Sequence, residues 1–157
     1  MQTITPFLWF DTQAEEAAAF YASVFPRSRV LNVTRYGAAG PGPEGQAMTV
    51  EFEVMGQRLI GLNGGPHFRF TEAISFSVPC ETQDEIDAYW EKLTADGGAG
   101  GNCGWLKDRF GLSWQIVPAA MAELLGDPDR EKARRATEAM LKMHKLDIAE
   151  LRRAHAG

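Results

Sequence analysis

Hydrophobic and polar positions alternate in two rhythms along the chain, and the order of those rhythms repeats. The apolar run Ile4-Thr5-Pro6-Phe7-Leu8-Trp9-Phe10 predicts a strand over 4–10. Ala14, Ala17, Ala18, Tyr21 and Phe25 then recur at helical spacing and predict a helix over 12–25. Thr12 with Glu15 three residues later has the form of a capping box, which sets the start of that helix. After Pro26 the pattern predicts strands over 29–36, 47–54 and 58–63, the second alternating cleanly. A glycine- and proline-rich loop over 37–45 and a tight turn at Met55-Gly56-Gln57 separate them.

The same order then begins again. A strand is predicted over 73–78, a helix over 82–93, short strand material over 101–107 and a closing strand over 111–117. The second helix opens on its own capping box, Thr82 with Glu85, so Thr12-Gln13-Ala14-Glu15 has its echo in Thr82-Gln83-Asp84-Glu85. Repeated element order of this kind marks a duplicated unit. The reading is a single α+β domain of two tandem βαβββ modules, about 1–66 and 72–118, followed by a helical tail over 119–157. In the tail, Asp127-Pro128 supplies an N-cap and a proline at the first helical position, and Asp147 opens a last helix through 148–154. Ala133, Ala136, Met140 and Met143 fall near one helical face, which suits core packing or a dimer contact.

Composition changes the picture mainly by exclusion. With 45% hydrophobic residues the chain can bury a core, and disorder is excluded. The net charge of −5 gives no basic footprint for nucleic acid, and the run Arg130–Arg135 alternates with acids as a solvated helix face does. No apolar run approaches the ~20 residues that cross a bilayer, and Met1–Phe10 lacks the pattern of a signal peptide. The expected setting is therefore the cytoplasm, with no membrane partner. Cys80 and Cys103 are too few for a disulfide framework and lack zinc spacing, so both are expected reduced, with Cys103 beside a turn.

The duplicated βαβββ unit resembles the vicinal oxygen chelate superfamily, which includes glyoxalase I, bleomycin-resistance proteins and extradiol dioxygenases. The stretches 4–25, 40–45, 62–70, 73–78 and 103–118 are similar to its PhnB-like branch, labelled 3-demethylubiquinone 3-methyltransferase, and the resemblance spans nearly the whole chain, including 127–133 in the helical tail. The label finds no motif here, because the glycines of 40–45 precede a strand and not a helix. The resemblance implies a curved mixed sheet forming a cup, frequent homodimers, and, in metal-dependent members, four inward ligands from the first and last strands of each module. Carried over, those positions fall near Thr5, at Ile60 or Gly61, near Ala73, and at Gln115, where Asp108-x-x-Gly111-x-x-x-Gln115 resembles a pattern ending in glutamate. Only Gln115 is of ligand type, so neither a metal nor another cofactor is expected.

What remains is a cup lined by Phe7 and Trp9, with Ser75, Ser77 and Gln115 on the matching faces and Asn63 and His67 near the rim. Trp114 alternates with Gln115 and is expected to turn towards the helices, while Glu51 and Glu53 are expected in solvent. Three functions stay open, one of them a purely structural or regulatory dimer with no ligand, resting on the methionine-rich tail. The preferred one is metal-free binding of a small molecule, aromatic or amphiphilic, by a homodimeric protein. The alternative is an enzyme, a lyase, isomerase or transferase, for which His67 is the one histidine near the rim and no catalytic residue is assigned.

Overall fold

The computed structural model describes residues 2–157, and the chain divides into two compact units, one ending at Phe70 and one beginning at Thr71. The first unit runs β1 (Phe7–Phe10), α1 (Ala14–Val24), β2 (Arg29–Arg35), β3 (Ala47–Val54) and β4 (Gln57–Asn63). Its sheet has the order β1-β4-β3-β2, with β1 parallel to β4 and the other pairs antiparallel. The second unit runs β5 (Ser75–Cys80), α2 (Gln83–Thr94), β6 (Ala99–Gly100), β7 (Trp105–Lys107) and β8 (Ser113–Pro118). Its order, β5-β8-β7-β6, repeats the first position for position, so the duplicated α+β module is a property of the fold.

β1 starts three residues later than the hydrophobic run. Pro6 has no N–H to give to a ladder, although its carbonyl accepts from the Ile60 N–H at 3.1 Å, and regular pairing begins only at Phe7 opposite Ile60. On one face of the first sheet Leu8, Val50, Phe52, Leu59 and Asn63 are buried beneath α1, whose Ala14, Ala17, Ala18 and Tyr21 are fully enclosed. Tyr21 stacks on Phe52 with ring centroids 6.1 Å apart. The alanines let the helix settle close to the strands, and a Cβ at Gly61 would already stand 3.1 Å from that of Ala14. The other face carries Phe7, Trp9, Ile60, Leu62 and Thr49, and by register also Glu51 and Glu53. Those two glutamates are therefore not free in solvent: both are half-buried, Glu51 pairing with Arg58 at 2.5 Å and Glu53 with Arg29 at 3.4 Å.

Two predicted caps are corrected. Gln13 and not Thr12 is the N-cap of α1, and no side chain of that turn caps it; the Ala14 N–H is instead taken by the Asn63 side chain, 49 residues away. Thr82 and Glu85 do form the reciprocal capping box of α2. In the tail, α3 spans Met121–Leu125, α4 Arg130–Met140 and α5 Ile148–Ala156. Asp129, not Asp127, caps α4, accepting from the Glu131 and Lys132 N–H groups, because the Asp127 carboxylate is engaged by the Asp129 N–H and by His155. Asp147 caps α5 through the Glu150 N–H, as expected.

The tail belongs to the second unit by packing and by hydrogen bonds. Leu124, Ala136, Leu146 and Leu151 form a buried cluster, with Val117, Met140 and Met143 packed against it, so the methionine and alanine stripe is internal to this unit. The Cys103 and Gly104 N–H groups donate to the Met143 and His144 carbonyls, both at 2.8 Å. Gln83 closes the clasp, donating to the Leu146 carbonyl and accepting from the Ile148 N–H. Among the described residues no helix is long and apolar enough to cross a membrane.

Candidate functional site

The first unit holds a cavity of about 560 Å³ at the ends of β1 and β4, closed by the loops on either side of Gly42 and Gly65. Trp9, Asn63 and His67, three of the residues expected to line a site, all border it. Trp9 is fixed from three directions. Its indole N–H donates to the Gly65 carbonyl at 2.9 Å, and its ring meets Phe68 edge-on at 4.8 Å. A Cβ at position 64 would fall inside the indole, so only glycine permits this rotamer. The ring is held as a rigid wall, not as a side chain free to collapse into the space.

Tyr36, Met48 and Leu62 extend the apolar lining, while Asp11, Gln46 and His67 supply polar groups. Tyr36 was missed by the sequence reading. It is buried, its hydroxyl donates to the Asn63 carbonyl at 2.6 Å, and its ring lies against Gly40 and Gly42 so closely that neither could carry a side chain unmoved. An aromatic residue directly before a glycine- and proline-rich loop was the available signal. Asn63 borders the cavity but has both ends of its amide in use: Oδ1 accepts from the Ala14 N–H and Nδ2 donates to the Ala47 carbonyl, each at 2.9 Å. Its work is in the fold. His67 is exposed on the loop, and Phe7 is 60% exposed without bordering this cavity.

Ser75 and Gln115 belong to the second unit, where the Gln115 amide donates to the Ser75 hydroxyl at 2.9 Å. Ser77 lies directly opposite Gln115 and is exposed. Trp114 turns the other way, as expected, and is buried with its indole N–H on Asp108 Oδ2 at 2.9 Å. Asp108 also accepts from the Phe110 and Leu112 N–H groups, and Gly111 closes the turn at φ +88°. The Asp-x-x-Gly part of the motif is thus a buried turn bracket that aims the strand after it.

A divalent ion of the superfamily's kind does not fit these residues. The Ile60 side chain has no donor atom, Gly61 faces α1, and Thr5 and Ala73 precede their strands. Gln115, the one ligand-type residue, directs its amide N–H to Ser75. Among the described residues no three His, Cys, Asp or Glu side chains gather into a metal-binding group. Nor does either strand-to-helix turn, Asp11-Thr12-Gln13 or Glu81-Thr82, contain the glycines that cradle a nucleotide-type methyl donor.

The two βαβββ units, each with this strand order, give the chain a fold shared with a PhnB protein and with a fosfomycin resistance protein. Residues 2–117 match the family described as 3-demethylubiquinone-9 3-methyltransferase, and the chain belongs to that family. It is similar to the PhnB protein from Bacillus cereus, with 38% identity, TM-score 0.67, and coverage of 74% of this chain and 98% of that one. A protein from Pseudomonas aeruginosa shares the fold at 20% identity and TM-score 0.58, covering 75% and 97%. A variant of the genomically encoded fosfomycin resistance protein from Listeria monocytogenes, solved with Mn(II) and 1S,2S-dihydroxypropylphosphonic acid, does so at 15% and 0.52, covering 76% and 93%. None of the curated proteins matches. The tail over 118–157 lies outside the matched family region.

Proposed function

We propose that the protein binds a small molecule without a metal, and that the ligand lies in the first unit's cavity against the face of Trp9. The observation that carries this reading is a space of about 560 Å³ with a pinned indole as one wall. That volume falls within the ~300–1,000 Å³ usual for ligand pockets, where apolar walls provide affinity and a few polar groups fix orientation. Tyr36, Met48 and Leu62 are the apolar walls, and Asp11, Gln46 and His67 the orienting groups. The ligand class this favours is planar and amphiphilic: an aromatic body for Trp9 and a donor or acceptor for the polar rim.

The experiment is a thermal-shift screen of planar amphiphiles on protein whose metal content has been measured. A compound present at 100 times its Kd adds about 2.7 kcal/mol to stability, a shift of several degrees. The shift should survive EDTA and disappear in Leu62→Trp, which fills the cavity, while Gln115→Ala keeps it. No shift across the panel, a shift abolished by EDTA, or one that persists in the filled variant would each overturn the proposal.

A further inference from the structure

The second unit has a cavity of its own, bordered by a serine that the fold leaves unsatisfied. Ser113 is 1% exposed, and among the described residues its hydroxyl has no hydrogen-bond partner. It borders a separate cavity of about 280 Å³ that is also lined by Glu72, Gly100, Gly101, Trp105 and Lys107. Register places the residues: Ser113 lies directly opposite Lys107 on β7 and directly opposite Ser75 on β5, so the three form one polar row across the sheet. The row beside it carries Trp105 opposite Gln115.

The neighbouring polar side chains have partners. The Ser75 hydroxyl accepts from Gln115, and the Lys107 ammonium pairs with Glu72. A buried hydroxyl with no partner is unfavourable, and alanine would fit the same backbone without that cost. The serine is therefore explained by something the cavity receives. Charge identifies what that is. Among the described residues Lys107 is the one cation lining the space, anchored on a strand beside Ser113, whereas Glu72 reaches it from the segment before β5 and is 59% exposed. The Glu72 carboxylate stands where an incoming anion would go, and the same ion pair holds its pKa low.

We propose that this cavity binds the anionic group of a small organic molecule, a carboxylate or a phosphoryl group, which displaces Glu72 from Lys107 and accepts the Ser113 hydroxyl hydrogen bond. Trp105 offers an aromatic surface to whatever the anion is attached to. The site lies wholly within the second unit and does not depend on the cavity beside Trp9.

Titration followed by ¹H–¹⁵N NMR tests it, with benzoate, phenylphosphonate and inorganic phosphate as anionic probes and benzamide as the neutral control. The resonances of Gly100, Gly101 and the Trp105 indole should move with an anionic probe and stay still with benzamide. Benzoate against phenylphosphonate separates carboxylate from phosphoryl recognition, and inorganic phosphate shows whether the ring is required. Glu72→Gln, which removes the competitor, should tighten binding several-fold, and Ser113→Ala should weaken it about tenfold, one charge-assisted hydrogen bond. Ser113→Ala should leave the ligand-free melting temperature unchanged or higher, because it deletes an unsatisfied group. Silence towards every anion, equal response to benzamide, unchanged affinity in Glu72→Gln, or a lowered melting temperature in Ser113→Ala would overturn the assignment.

Discussion

Asn63 gives the sharpest test of how the first unit is held together. Its side chain joins three elements: it sits at the end of β4, caps the first N–H of α1 and satisfies the Ala47 carbonyl at the start of β3. In Asn63→Ala both hydrogen bonds vanish and two buried partners stay behind. Each stranded group costs about 1–3 kcal/mol, so the expected loss is about 4 kcal/mol, a large part of the ~5–15 kcal/mol that holds a domain folded. At ~2–4 °C per kcal/mol for a chain of this size, the melting temperature should fall by roughly 8–16 °C. Urea unfolding followed by circular dichroism reads the change as a lower midpoint at constant m. Asn63→Asp separates the two bonds. The new carboxylate keeps the acceptor for Ala14, at a helix N-terminus that favours negative charge, but faces the Ala47 carbonyl with no proton to give. Its protonated form can donate, so its folded pKa should lie above the usual ~3.9. With the folded value raised, the Asp variant approaches wild-type stability below pH ~4 and falls away as pH rises through the folded pKa. Asn63→Ala unfolding within about 1 kcal/mol of wild type, or a pH-independent gap between Asp variant and wild type, would refute the bracket.

Four further outcomes follow from the same structure. Gly64→Ala should force the Trp9 indole from its place, losing the Gly65 hydrogen bond and the Phe68 contact, and cost about 2–4 kcal/mol with a changed tryptophan emission. Burial pushes the Cys80 thiol up to about 12, with the nearby Glu85 charge adding to it, so native protein at pH 8 should be alkylated at Cys103 and not at Cys80 until it is unfolded. By the same raised value, stability should fall as pH rises from the unfolded thiol's ~8.5 towards 12, and Cys80→Ala should flatten that slope. Gln83→Ala should loosen the tail, seen as faster amide exchange at Ile148, Cys103 and Gly104 while α1 is unaffected.

Architecture was legible where periodicity and local chemistry agreed. The alternation over 47–54 is the strand Ala47–Val54, and the Thr82–Glu85 box caps α2 as read. It was misread where a distant group does the local job. Thr12-Gln13-Ala14-Glu15 has the capping form but leaves the cap to Asn63, and Asp127 is drawn away from α4 by His155 at the far end of the tail. The candidate site divides for the same reason. Trp9 and His67 come together at one cavity because β1 and β4 are parallel neighbours. Ser75 and Gln115 bond to each other in the other unit. No sequence signal distinguishes Ser113 from the polar residues beside it, since a missing partner is visible only in three dimensions.

The two helices that open alike in sequence are capped from different distances, and that difference bears on the order in which the chain acquires structure. Everything that caps α2 lies within four residues of its start, so it can form as soon as it leaves the ribosome. The first turn of α1 waits for residue 63, and its loop closes only when β4 is in place. Substitutions at Asn63 should therefore slow refolding of the first unit, whereas substitutions at Thr82 should act on the second without delaying the first. Two helices that open on the same Thr-Gln-x-Glu pattern should thus become capped at different stages of folding.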